Sequence, residues 1–207
     1  MVRKYLLSCL LLICVTSFSA FSQKSNYNST ISLSVGQSMV GKIMNNINLG
    51  DSSNADPFAL PAVNIAYDRT INNWFSIGGA FSFQHMGVKF TNYESTDENN
   101  VTTYVDFNTT INRINYAIRP LFHYGTTDKL DMYSGLRIGM ISNTFHLNGE
   151  VAGFKKDDVF KFNFGARPTC QIIAFGLRYY FTDAIGFHTE FAIGSPYYFS
   201  AGLNIRL

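Results

Sequence analysis

The chain has 207 residues, of which 14% are charged and 15% aromatic, against roughly 25% charged in ordinary soluble domains. Sixteen basic residues face 14 acidic ones, without a basic run, so nucleic acid is not an expected partner. No apolar stretch reaches the roughly twenty residues that a membrane-crossing helix requires. An aromatic-rich, charge-poor chain of this kind either buries its apolar residues in a soluble core or spreads them over a closed barrel that faces lipid.

Residues 1–22 have the three parts of a secretory signal: Arg3 and Lys4, the apolar run Tyr5 to Val15, and small residues at Ala20 and Ser22. Cleavage is expected before Gln23, leaving 23–207 as one domain. Without Arg3 and Lys4 the mature chain carries 14 charges of each sign and is neutral overall. Cys170 is its single cysteine, so no internal disulfide can form.

In the mature chain, apolar and small or polar residues alternate with the period of two that marks strands. Ile31, Leu33 and Val35 lie opposite Ser32 and Ser34 in the first strand, and Val63, Ile65 and Tyr67 lie opposite Asn64 and Asp68 in the second. The third sets Phe75, Ile77, Phe81 and Phe83 against Ser76, Gly78, Ala80 and Ser82. In the fourth, Ile114, Tyr116, Ile118 and Phe122 oppose Arg113, Asn115, Arg119 and His123, with Pro120 as a break in the ladder. The fifth places Met132, Leu136 and Ile138 opposite Asp131, Gly135 and Arg137, and the sixth places Leu177 and Tyr179 opposite Gly176 and Arg178. The seventh opposes Ile185, Phe187 and Phe191 to His188 and Glu190, and the eighth opposes Leu203 and Ile205 to Asn204 and Arg206.

The connections alternate in length. Residues 41–59, 87–103 and 142–167 read as long polar loops, and 69–73, 125–129 and 182–184 as short turns. Outer-membrane barrels place short turns in the periplasm and long loops outside, so both termini are expected in the periplasm. Tyr67, Trp74, Tyr124, Tyr179 and Phe181 adjoin the short turns, where an aromatic girdle would meet the lipid interface. The competing architecture is a soluble β-sandwich. Its second face would be bathed in water and rich in Lys, Glu and Asp; here that face is mainly Gly, Ala, Ser, Asn and Arg, which suits a narrow interior. The predicted fold is therefore all-β, an eight-stranded antiparallel up-and-down transmembrane barrel.

The run from Phe175 to Gly186, the segment Glu190-Phe191-Ala192-Ile193-Gly194 and the closing Gly202-Leu203-Asn204-Ile205-Arg206-Leu207 resemble the OmpA/OmpX-like small barrels of the Gram-negative outer membrane. Tyr67-Asp68 through Ser76-Ile77-Gly78 resembles the first periplasmic turn of that family. The resemblance implies a cell-envelope protein in contact with outer-membrane lipid, lipopolysaccharide and the barrel-insertion machinery.

The inward face gathers Arg113, Arg119, Arg137, Arg178 and Arg206 with Glu190 and His188, and Asp68 and Asp131 near the short-turn rim. Eight strands leave an interior that side chains can fill, and buried charges must be paired. These residues are expected to form an ion-pair network plugging the barrel, with Glu190 bound to Arg178, Arg206 or both. The competing role is a narrow path for ions or small solutes. Catalysis on lipid A would need a Ser, His and carboxylate at the outer rim, where only Ser142, His146 and Glu150 qualify. No metal-ligand or phosphate-loop spacing is present, so no enzyme activity and no cofactor is expected. The functional expectation is a structural or interaction barrel whose outer loops meet an extracellular protein or surface ligand.

Overall fold

The computed structural model describes residues 28–46, 55–96, 102–125, 127–149 and 160–207. The expected signal segment and its cleavage point before Gln23 lie outside them. The strands are β1 (Ser29–Gln37), β2 (Ala55–Ala59), β3 (Ala62–Asn72), β4 (Phe75–Thr96), β5 (Thr102–His123), β6 (Leu130–Gly149), β7 (Phe160–Tyr180), β8 (Ile185–Gly194) and β9 (Phe199–Arg206), with one helix, α1 (Met39–Asn46). β1 pairs with β3 on one side and with β9 on the other, every successive pair is antiparallel, and the ladder closes into a ring of eight strands. β2 is the outer continuation of β3: both pair with β4, on either side of Leu60-Pro61. Within the ring, closure removes the unpaired edges that an open sheet would present.

The period-two faces sort as the sequence predicts except at a bulge in β7, where Ala174, expected on the inward face, is exposed and Ile173 is buried instead. Ser32, Ser34, Asn64, Ser82, Asn115, Gln171, Ser200 and Asn204 are buried inside the ring. On the outside, Leu33 (57% exposed), Ile118 (56%), Ile172 (51%) and Leu203 (57%) stand free of any protein partner that would cover them. The usual arrangement of a soluble domain is thus inverted. Aromatic pairs cluster by the short turns, with Trp74 stacked on Phe122 at 6.0 Å and Tyr179 edge-on to Phe181 at 6.2 Å. At Pro120 the β5–β6 register runs from Ile118↔Ile138 to Leu121↔Gly135 with no pairing between, as expected where an N–H is missing.

Three expectations need correction. Residues 87–103 are not a polar loop: β4 and β5 stay paired out to Thr96↔Thr102. Most of 142–167 is strand as well, since β6 and β7 pair out to Leu147↔Phe160. Within 41–59 lie most of α1 and all of β2. Ser38 caps the helix, its Oγ accepting from the Gly41 N–H at 2.9 Å. Asn45 then ties the helix to β2, accepting from the Ala59 N–H at 2.7 Å and donating to its carbonyl at 3.2 Å. A 22-residue strand such as β4 or β5 is about 70 Å long at ~3.3 Å per residue, whereas a bilayer crossing takes about 9–11 residues. β4 to β7 therefore project beyond the ring as a four-stranded sheet, with β2 along the β4 edge. In β7 a bulge opposite Ser142 to Thr144 is completed by Gly165, whose φ of +74° favours glycine.

Candidate functional site

Interior side chains form layers between the two rims. Toward the long-loop end, Gln84 donates to Ser38 Oγ at 2.8 Å and to the Leu60 carbonyl at 3.0 Å, while Gln171 donates to the Tyr197 carbonyl at 2.5 Å. Below them Arg137 donates to Ser82 Oγ, and its guanidinium lies 5.6 Å from the Tyr197 ring centre.

The next layer is centred on Glu190 of β8, which is 1% exposed. Its carboxylate accepts from Arg119 at 2.7 Å, from the Tyr133 hydroxyl at 2.7 Å and from the Tyr197 hydroxyl. Tyr197 lies in the connection between β8 and β9; burial and the neighbouring carboxylate push its phenol up to about 12, so it remains a donor. Gly176 faces Tyr133 in the β6–β7 register, and a Cβ there would come within 2.3 Å of the Tyr133 ring, so this glycine makes room for one of the donors to Glu190.

Toward the short-turn rim, Asp68 pairs with Arg178 at 2.5 Å and with Arg119 Nε at 3.3 Å. Asp131 pairs with Arg178 at 3.4 Å and with His123 Nδ1 at 2.7 Å. His123 Nε2 in turn meets Ser76 Oγ at 2.8 Å. The chain of contacts Ser76, His123, Asp131, Arg178, Asp68, Arg119 and Glu190 links six strands of the ring, β3 to β8. Its carboxylates are each held by more than one donor, which is what makes a buried charge tolerable.

Glu190 therefore meets Arg119 of β5, not Arg178 or Arg206 of the flanking strands. The register gives the reason. Arg178 lies level with His188 and Arg206 lies past the start of β8, so both are nearer the rim than Glu190. Arg119 reaches the carboxylate across the lumen. Arg206 instead lies 3.3 Å from the Tyr180 ring centre and donates to the Asp128 carbonyl at 2.8 Å. Arg137 and His188 are buried, and neither has an ion pair among the described residues. Tyr133, Tyr197, Ser76 and His123 are the network members that charge counting missed. Tyr133 shares the inward parity of Asp131 and Arg137, the one signal that points to it.

Of the outer-rim candidates, Ser142 donates to Asn163 at 3.3 Å and His146 lies four residues along the same strand, about 13 Å away at ~3.3 Å per residue. Glu150 lies outside the described residues. The candidates do not converge.

No protein-family model and no curated protein matches the chain. Among solved structures it is similar to the attachment invasion locus protein Ail of Yersinia pestis, at 10% identity over 89% of this chain and 96% of that one, with a TM-score of 0.43. It is also similar to Ail in complex with the heparin analogue sucrose octasulfate, at 9% identity over 86% and 93%, TM-score 0.45. A third is the N-terminal β-barrel domain of Pseudomonas aeruginosa OprF, at 14% identity over 87% and 98%, TM-score 0.41. The barrel assignment itself rests on the closed ring of strand pairs.

Proposed function

We propose that the chain is a small outer-membrane barrel of the Gram-negative envelope, exported by residues 1–22 and serving a structural or interaction role through its projecting sheet. The observation that carries this reading is the inverted packing: a closed ring with polar side chains buried inside and a belt of exposed Ile, Leu, Phe and Tyr outside. Water would penalise such a belt, and lipid accepts it. Lipid and lipopolysaccharide are then the partners of the belt, and the insertion machinery is needed for assembly. The short turns and both termini face the periplasm, and the projecting sheet faces outward to meet a protein or surface ligand. On unheated SDS gels the folded protein is expected to run apart from the boiled form, because a closed ladder resists unravelling. A mature chain that refolds as a monomer in plain buffer would overturn the membrane assignment.

A transport barrel would need a continuous path past Gln84, Arg137, Glu190 and Arg178, and the buried network occupies that path. Ser76, His123 and Asp131 stand in the order of a nucleophile, base and acid. Ser76 is 1% exposed, which supports a bracing role over acyl transfer. A fluorophosphonate probe is expected to leave Ser76 unlabelled; stoichiometric labelling would make it a nucleophile.

A further inference from the structure

Above the plug, where α1 meets the projecting sheet, a cavity of about 350 Å³ opens on the face of β4 to β7 that continues the barrel interior. Its walls are Val40 of α1, Met86 of β4, Ile111 of β5 and Phe164 of β7, and Arg113 and Arg167 also line it. Arg113 spends one donor on Ser195 Oγ, leaving most of the five N–H groups of a guanidinium. Among the described residues no carboxylate lies within ion-pair distance of Arg113 or Arg167. The buried acids below are engaged with other partners. Two guanidiniums with no counter-charge among the described residues, beside an apolar wall, form a site with one cationic and one hydrophobic part. The floor is closed, since Gln84, two residues below Met86 on the same face, is bonded to Ser38 and Leu60. Access is from the aqueous side of the mouth, because the lining residues Met86, Ile111 and Arg113 have the parity of the lumen rather than of the lipid belt.

We propose that this cavity binds an amphiphilic monoanion, a carboxylate or sulfonate carrying an apolar tail, with its head on Arg113 and Arg167 and its tail against Val40, Met86, Ile111 and Phe164. Decanoate has this chemistry, a single carboxylate head on an unbranched apolar tail. The inference deepens the interaction role above and rests on the closed, plugged barrel that supports it.

The test is calorimetric titration of decanoate into the full mature protein in zwitterionic lipid nanodiscs, with empty nanodiscs as the blank. Saturable one-to-one binding is expected, at least about tenfold tighter than for decyl alcohol, which lacks the charge to draw a charge-assisted hydrogen bond. Acetate, which lacks the tail, is expected to bind more weakly still. Arg113→Gln and Arg167→Gln together should reduce decanoate affinity to that of the alcohol, and Ile111→Asp should abolish it. Absence of saturable heat, equal affinity for acid and alcohol, or full binding by the double Arg variant would each overturn the proposal. The unheated gel shift is recorded on every sample. A lost site with an intact shift refutes the cavity alone, and a missing shift in the unmodified protein refutes the barrel reading beneath it.

Discussion

Glu190 is the residue on which the interior depends, because three donors from β5, β6 and the β8–β9 connection converge on it. Glu190→Gln leaves Arg119 with only Asp68, which it shares with Arg178, in a poorly solvated lumen, at an expected cost on the order of 3 kcal/mol. Urea unfolding in micelles measures it, and Thr189→Val on the outward face should cost little. A double-mutant cycle identifies the partner: Glu190→Gln with Arg119→Met is expected to show coupling of about 1 kcal/mol or more, whereas Glu190→Gln with Arg206→Met should add within about 0.5 kcal/mol. Strong coupling to Arg206 would restore pairing between flanking strands. Gly176→Ala offers an independent probe, since its methyl group occupies the space of the Tyr133 ring. Displacing that ring removes a donor from Glu190, so destabilisation of about 1–3 kcal/mol is expected. Most of this loss should disappear in a Tyr133→Ala background, where the ring is already gone.

At the scale of elements, the strands divide by length. β1, β8 and β9 run for 9, 10 and 8 residues, close to the bilayer requirement, while β4 to β7 run for 20 to 22. The extra length carries Thr, Asn and aromatic residues. In a Cys170→Ser background on intact cells, a membrane-impermeant maleimide is expected to label Lys161→Cys in the projecting part of β7 and to leave Asp183→Cys in the short turn unlabelled. The reverse pattern would invert the orientation. The extension was only partly legible because both of its faces meet water there, which removes the apolar-polar alternation. Threonine, tyrosine and valine at 102–105 favour strand, but such a preference is weak without a buried face. α1 escaped notice because eight residues give barely two turns of periodicity, and its stability comes from the Ser38 cap and the Asn45 ties.

For the whole molecule, closure and plugging determine behaviour together. With Glu190, Arg119, Arg178 and Arg137 almost wholly buried across the lumen, the protein is expected to give no steady conductance in planar bilayers. A stable open channel in the unmodified protein would refute the plug.

The sequence by itself determined which side chains face inward, apart from Ile173 and Ala174 at the β7 bulge, together with the short turns, the ring of eight spanning strands and the inward set of charges. These follow from local rules: successive residues of a strand point to opposite faces, and turn chemistry is written in three to five residues. Only the tertiary structure decided which guanidinium meets Glu190, that Tyr133 and Tyr197 complete its shell, how far β4 to β7 project, and that Arg113 and Arg167 share a cavity with α1. Those contacts cross the lumen or join distant strands. Their distances depend on how the ring closes and on the register of each pair, and neither quantity is carried by a single strand.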